Sequence, residues 1–110
     1  MMTCATVYFN SDKTVSRVMV KGHSGYADSG FDIVCSAIST SMILTANLIT
    51  KLSCKENYII NIDEKTNIID IMIKEFDTER VLEKVMDNLF ETLRSISSDY
   101  PKYFKIILAK

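Results

Sequence analysis

The residue types that can do covalent chemistry are concentrated in one stretch of the sequence, residues 22–39. This stretch holds the single histidine, His23, and one of the three cysteines, Cys35. A cysteine reacts as its thiolate, and a neighbouring histidine favours that form. The two residues therefore suggest a Cys–His catalytic pair. The alternative is structural, because buried cysteines usually pack as small apolar side chains and a histidine at a strand end is often an ordinary surface residue.

The segment between these two residues has an unusual composition. All three glycines of the chain fall within it or at its edge, and glycine permits backbone conformations that other residues avoid. We therefore predict a loop over residues 22–31 that is built for unusual or changing geometry, although a plain connector would have the same composition. The candidate substrate-contacting residues of this loop are Gly22, Ser24, Gly25, Tyr26, Gly30 and Phe31.

Cys35 is expected close to the start of a helix. Asp32 is a good N-cap residue, which would place Cys35 in the first helical turn. The partial positive charge there favours a thiolate, and the free amides could hold the oxyanion of a tetrahedral intermediate. The carboxylate of Asp32 opposes a thiolate, so the net effect depends on a distance that the sequence does not give. Ser39, four residues after Cys35, is either a supporting residue or a packing hydroxyl.

The elements around this segment follow from hydrophobic periodicity. We predict a helix over residues 33–53, and a second, amphipathic helix that begins near Asp77 or Thr78. Alternating or β-rich segments predict strands at residues 3–9, 14–21, 58–62, 68–73 and 103–108. The order β-β-α-β-β-α-β indicates an α+β fold, a mostly antiparallel sheet with two helices packed on it, in a single domain over residues 1–110.

The first helix carries no charged residue between positions 33 and 50. A helix that is apolar over most of its circumference is buried on more than one side. We therefore predict a homodimer, with Met42, Ile49 and Leu52 as candidate contacts; the alternative is a central helix covered by its own domain. Seven Ser, Thr or Asn residues in this stretch favour a buried helix over a membrane span.

Composition excludes several other functions. The formal net charge of −1 argues against a nucleic-acid partner. Three widely spaced cysteines and one histidine do not have the spacing of a zinc site, so we expect no metal and no cofactor. The N-terminus lacks the pattern of a signal peptide, and an odd cysteine count fits free thiols. We therefore expect a cytoplasmic protein without a membrane partner.

The residues from Gly22 to Ser39 also form a motif that can be compared with known families. The string Gly22-His23, a glycine-rich loop, and then Gly30-x-Asp32-Ile33-Val34-Cys35-x-Ala37-x-Ser39 resembles the ribosomal-processing cysteine protease Prp family. The resemblance covers essentially the whole chain in length and element order. Ser24 and Ser36 stand where the family often has alanine, and Ala27 stands where it often has glycine.

This resemblance implies a cytoplasmic bacterial endopeptidase. Its substrate would be a large-subunit ribosomal protein, from which it removes a short N-terminal extension by cutting after an aromatic residue. By the same resemblance Cys35 is the nucleophile and His23 the general base, in a homodimer whose loop closes on the substrate. Asp28 and Asp32 are both candidates for an orienting acid, and Asp32 could instead serve as a cap alone. The alternative function is a non-catalytic, ribosome-associated module that binds a peptide with the same loop.

Overall fold

The computed structural model describes residues 2–22, 29–76 and 80–109, and for residues 29–32 it describes the backbone alone. These described residues form five strands: β1 (Thr3–Phe9), β2 (Val15–Lys21), β3 (Tyr58–Asp63), β4 (Ile68–Ile73) and β5 (Phe104–Ala109). Two α-helices, α1 (Ser29–Leu52) and α2 (Val81–Asp99), lie between them. A short 3₁₀ helix at Lys55–Asn57 links α1 to β3 and was absent from the expected order of elements.

The sheet has the strand order β3-β4-β2-β1-β5. Three of its neighbouring pairs are antiparallel, but β5 runs parallel to β1. The expectation of a mostly antiparallel sheet was therefore wrong, and the sheet is mixed. The reason is the path of the chain after β4, which returns along α2 and brings β5 to the free edge of β1 in the same direction. Such a crossover is the usual way to join strands that end up parallel.

One face of the sheet and the inner faces of both helices form the hydrophobic core. Alternate residues of β1, β2 and β4 point into it, as the two-residue period of a strand requires. The helices pack against each other as well as on the sheet. The largest fully buried side chains include Ile38 and Met42 of α1, Leu82 and Met86 of α2, and Phe104 of β5.

Helix α1 differs from its prediction in where it begins. It starts at Ser29, so Asp32 belongs to the first turn and is not the N-cap. Three neighbouring residues of capping type, Asp28, Ser29 and Asp32, made the start ambiguous in the sequence. A carboxylate anywhere in the first turn complements the helix dipole, which is why Asp32 is compatible with this position.

The outward side of α1 also differs from its prediction. Met42 and Ile49, expected at a dimer contact, are fully buried in the core, whereas Leu52 is exposed as expected. The uncharged stretch gave no polar face by which to orient the helix. We define the outer stripe of α1 as its exposed large apolar side chains, Ile33, Ile43, Leu44, Leu48 and Leu52.

The segment Ile33–Leu52 is long and apolar enough to cross a membrane by length and composition alone. Its inner residues nevertheless belong to the core, so crossing a membrane would require the core to come apart.

Helix α2 begins later than predicted. Its first residue is Val81, and Arg80 occupies the N-cap position with a left-handed backbone, φ 59°. Asp77 and Thr78, the predicted caps, lie outside the described residues. The apolar side of the helix agrees with its predicted periodicity, because Leu82, Met86, Leu89 and Leu93 are all buried.

Candidate active site

Three distant parts of the sequence meet at the start of β1. Because β1 and β2 are antiparallel with Cys4 opposite Lys21, Thr3 and Gly22 come together at the end of the hairpin. The hydroxyl of Thr3 lies 3.4 Å from the carbonyl oxygen of Gly22, to which it donates a hydrogen bond. The same Oγ1 lies 3.7 Å from the Sγ atom of Cys35, which α1 brings over this end of the sheet. The candidate nucleophile is therefore held against the point where β2 ends.

Gly22 has a backbone that requires glycine. Its φ is +93°, a conformation that residues with a side chain rarely adopt. A Cβ atom at this position would lie 3.1 Å from the carbonyl oxygen of Met2, a backbone atom with little room to move. A residue with a side chain would therefore strain this end of the hairpin.

Cys35 is buried, with 4% of its surface exposed. It is the seventh residue of α1, in the second turn, so the prediction that it lies in the first turn was wrong. From the fifth residue onward, the amides of a helix bond to carbonyls of the preceding turn. The backbone amide of Cys35 is therefore committed to the helix, and the free amides are those at the very start of α1, one turn away. In this conformation the Cys35 side chain is largely shielded from solvent.

Several predicted site residues lie outside the described part of the chain. These are His23, Ser24, Gly25, Tyr26 and Asp28. The backbones of Gly30, Phe31 and Asp32 belong to the first turn of α1, and their side chains are not described. The predicted pairing of His23 with Cys35, the orienting acid and the closing loop therefore stay predictions.

A cleft of about 240 Å³ lies between α1 and the β3–β4 hairpin. Ser39 lines it and lies one helical turn beyond Cys35, on the same side of α1. Ile38, the residue before Ser39, is fully buried in the core and does not line this cleft. The remaining lining residues are mainly isoleucine and acidic or amide side chains: Ile43, Ile62, Asp63, Glu64, Asn67, Ile68 and Ile69.

The other two cysteines take no part in this arrangement. All three thiols are free; Cys4 is half-buried in β1 and Cys54 is exposed. Within residues 2–22, 29–76 and 80–109, no three His, Cys, Asp or Glu side chains come together as a metal site would require.

Thr3 is the site residue that the sequence did not reveal. It is fully buried, one of two buried polar residues among those described. In the sequence it reads as an ordinary strand residue, because it continues the inward alternation of Ala5 and Val7. Its partners are 19 and 32 residues away, so no local pattern could have identified it.

The fold is that of known proteases. The structure of the essential ribosomal processing protease Prp from S. aureus with a substrate peptide superimposes with a TM-score of 0.85 at 21% identity, over 98% of this chain and 100% of that one. The same S. aureus protease with a covalently linked product peptide gives a TM-score of 0.83 at 20% identity, over 98% and 100%. SMU.848 from Streptococcus mutans gives 0.81 at 22% identity, over 98% and 96% of the two chains. These likenesses establish the fold.

Sequence comparison establishes the family. No curated protein matches the chain. Residues 2–105, nearly the whole sequence, match the family profile described as Cysteine protease Prp. The match includes Thr3, Gly22, His23 and Cys35, the residues at and beside the described site. The chain therefore belongs to the Cysteine protease Prp family.

Proposed function

We propose that the protein is a cysteine endopeptidase that removes a short N-terminal extension from a large-subunit ribosomal protein. Cys35 is its nucleophile and His23 its general base. The observation that carries this proposal is the position of the Cys35 sulfur, which lies 3.7 Å from Thr3 and thereby against the end of β2. His23 is the next residue in the sequence after Gly22 at that end. The closeness of Gly22 and Cys35, both in contact with Thr3, supports the assignment of His23 as the base.

In the proposed reaction the imidazole of His23 takes the proton of the Cys35 thiol, and the thiolate attacks the peptide carbonyl. The tetrahedral intermediate collapses to a thioester when the leaving amine takes a proton from the imidazolium. Water then hydrolyses the thioester and regenerates the thiol. None of these steps needs a cofactor.

The cleft beside Ser39 is the proposed site for a side chain of the substrate. Its isoleucines offer an apolar surface, which suits the aromatic residue that the family resemblance places before the cut. Asp63 and Glu64 add negative charge to the lining, which favours a peptide with basic residues near the cut. A ribosomal protein, which must bind RNA, supplies such residues.

A second copy of the chain is the proposed partner of the outer stripe of α1. Leu44, Leu48 and Leu52 recur at four-residue spacing, and Leu44 is 68% exposed. Exposed large apolar side chains aligned on one helix are characteristic of an interaction surface. A two-fold contact would cover the stripe of both copies at once. We place this dimer in the cytoplasm, where the three free thiols are compatible with a reducing environment.

The test is to mix the purified protein with the unprocessed large-subunit ribosomal protein from the same genome and to measure the product masses. We expect two products whose masses add to that of the precursor plus one water, with the cut near its N-terminus. Cys35→Ala should abolish cleavage, whereas Cys54→Ser, which changes an exposed thiol, should retain it.

Cleavage by the Cys35→Ala protein would contradict the proposed mechanism. Binding of the ribosomal protein without cleavage would favour the peptide-binding module instead. Thiol alkylation gives an independent criterion, since the Cys35 thiol of an enzyme should react faster than that of a passive binder.

A further inference from the structure

The hydroxyl of Thr3 has more than one possible partner. Its oxygen lies 3.4 Å from the carbonyl oxygen of Gly22 and 3.7 Å from the sulfur of Cys35. A hydroxyl has one hydrogen to donate and two lone pairs that accept. It can therefore donate to one of these two atoms while it accepts from a donor elsewhere. Both separations are at the long end for hydrogen bonds, so the hydroxyl hydrogen is not locked onto either partner.

With the thiol protonated, one arrangement satisfies all three atoms. The Thr3 hydroxyl donates to the carbonyl of Gly22, and the S–H of Cys35 donates to the Thr3 oxygen. When the thiol loses its proton, the sulfur can accept but cannot donate. Rotation of the hydroxyl hydrogen toward the sulfur is then favourable, because hydrogen bonds to an ionised acceptor are stronger than those to a neutral one.

The position of Thr3 supports this rotation. The residue is fully buried, and an exchange between two hydrogen-bond partners matters more where water does not compete. Its backbone is fixed by pairing to β5, with the Thr3 amide donating to the carbonyl of Tyr103 at 3.1 Å. Only the hydroxyl hydrogen has to move, while the oxygen stays in place.

We propose that Thr3 is a positioning residue for the Cys35 thiolate, whose hydroxyl turns its hydrogen from the Gly22 carbonyl to the sulfur when the thiol ionises. The proton itself goes from Sγ to the base, and no covalent bond of Thr3 changes. This role rests on the proposed function of Cys35 as nucleophile. Ionisation of the Cys35 thiol would also affect the backbone at Gly22, the residue before His23, because the carbonyl of Gly22 loses its hydrogen bond from Thr3 in the same step.

The test measures the rate of alkylation of Cys35 by iodoacetamide as a function of pH. The background is the Cys4→Ser/Cys54→Ser protein, in which Cys35 is the single thiol. Each profile is scaled to its own plateau, so that differences in access to the buried sulfur do not move the midpoint. Thr3→Val removes the hydroxyl and keeps the shape, and Thr3→Ser restores the hydroxyl.

The matched control is Thr45→Val. Thr45 is the other buried threonine of the described chain, and its hydroxyl donates to the carbonyl of Ser41 at 2.8 Å, away from the sulfur. It therefore repeats the same substitution in a buried environment of α1 without touching Cys35.

We expect Thr3→Val to raise the midpoint by about one pH unit, which corresponds to roughly tenfold slower alkylation below the midpoint. Thr3→Ser should return the midpoint toward that of the background protein, and Thr45→Val should leave it unchanged. A Thr3→Val midpoint equal to that of the background protein overturns the proposal. So does an equal shift in Thr3→Ser, because the effect would then follow the shape of the side chain and not its hydroxyl.

A second measurement does not depend on whether Thr3→Val folds. In the background protein at a pH that keeps the thiol protonated, the Raman S–H stretching band of Cys35 should lie at lower wavenumber than that of a thiol in an apolar solvent. A band at the frequency of a thiol without an acceptor overturns the proposal.

The outcome is separable from the proposed function, because alkylation needs no substrate. If the ribosomal protein is cleaved but the Thr3→Val profile does not move, the role of Thr3 fails and the protease remains. If the profile moves but nothing is cleaved, the thiolate contact stands and the proposed function fails.

Discussion

Replacement of Gly22 by alanine tests the geometry on which the candidate site depends. Gly22 ends the β1–β2 hairpin with φ +93° and precedes His23 directly. An alanine there must either adopt this conformation or shift the backbone, and the new Cβ meets the carbonyl oxygen of Met2 at 3.1 Å. Relief of this contact, or a change of φ, moves the carbonyl at position 22, which accepts the hydrogen bond from Thr3.

The expected loss of stability in Gly22→Ala has two contributions, the left-handed backbone conformation and the close contact of the new Cβ with the carbonyl of Met2. A residue with a side chain in the left-handed region costs about 1–2 kcal/mol, and relief of the close contact requires a further small displacement of backbone. We therefore expect a loss of about 2 kcal/mol in the free energy of unfolding. For a domain of this length, 1 kcal/mol lowers Tm by roughly 4 °C, so Gly22→Ala should melt about 8 °C below the wild type.

The assay combines thermal unfolding, followed by circular dichroism, with peptide cleavage well below both melting temperatures. Cleavage should fall roughly ten- to a hundredfold, because a displaced Gly22 carries His23 with it and small errors in catalytic geometry are costly. Lys13→Gly is the matched control. Lys13 also has a left-handed backbone, φ 71°, but lies in the turn between β1 and β2, at the other end of the hairpin.

In Lys13→Gly the relief of strain and the greater unfolded-state freedom of glycine should nearly cancel. Its Tm should therefore stay within about 3 °C of the wild type, with cleavage unchanged. A Gly22→Ala protein that melts within that same interval would refute the argument that this position requires glycine.

Three other perturbations test separate parts of the molecule. His23→Ala should lower the turnover rate by roughly two to four orders of magnitude, and wild-type turnover between pH 6 and 8 would remove His23 from the mechanism. Leu44→Glu should give a folded monomer by sedimentation, because Leu44 is 68% exposed on the outer stripe. Met42→Glu should instead unfold the chain, because Met42 is fully buried. A folded dimer of the Leu44→Glu protein would contradict the proposed interface. Hydrogen bonds from the side chain of Thr66 and the backbone of Lys65 lower the pKa of Asp63 from its usual range. The stability that this carboxylate contributes is present above the unfolded pKa and is lost as pH falls through the lowered folded value. The free energy of unfolding of Asp63→Asn should therefore fall less steeply on acid titration than that of the wild type. An equal dependence on pH would contradict this.

Local patterns predicted the elements better than their arrangement. Strands β1 and β4 begin and end at the predicted residues, because apolar alternation and turn residues mark both ends. The parallel pairing of β5 with β1 could not be read from either strand, since it depends on where α2 returns the chain. The same limit applied to α1: eighteen uncharged residues identify a helix, but they do not distinguish buried Met42 from exposed Leu44.

The residues of the candidate site could likewise be predicted only in part from the sequence. Cys35 and Gly22 could be singled out because the three glycines and the single histidine of the chain lie close together in the sequence, shortly before this cysteine. The first-turn position of Cys35 was wrong because several residues could begin the helix, and α1 starts three residues before Asp32. Thr3 could not be found at all, because its significance lies in contacts that the fold makes between segments far apart in sequence.

The parallel edge between β1 and β5 determines when the site can form during folding. Thr3 pairs with Phe104, and its amide bonds to the carbonyl of Tyr103, so these contacts close a segment of about 100 residues. Closing so long a segment costs chain entropy before any contact compensates for it. The β1–β2 hairpin can form early, but the strand that holds Thr3 beneath the Cys35 thiol is completed only when β5 docks. During synthesis, a chain whose residues 103–109 are still inside the ribosome therefore lacks the edge that fixes Thr3, and the thiol site is assembled only after that segment has emerged.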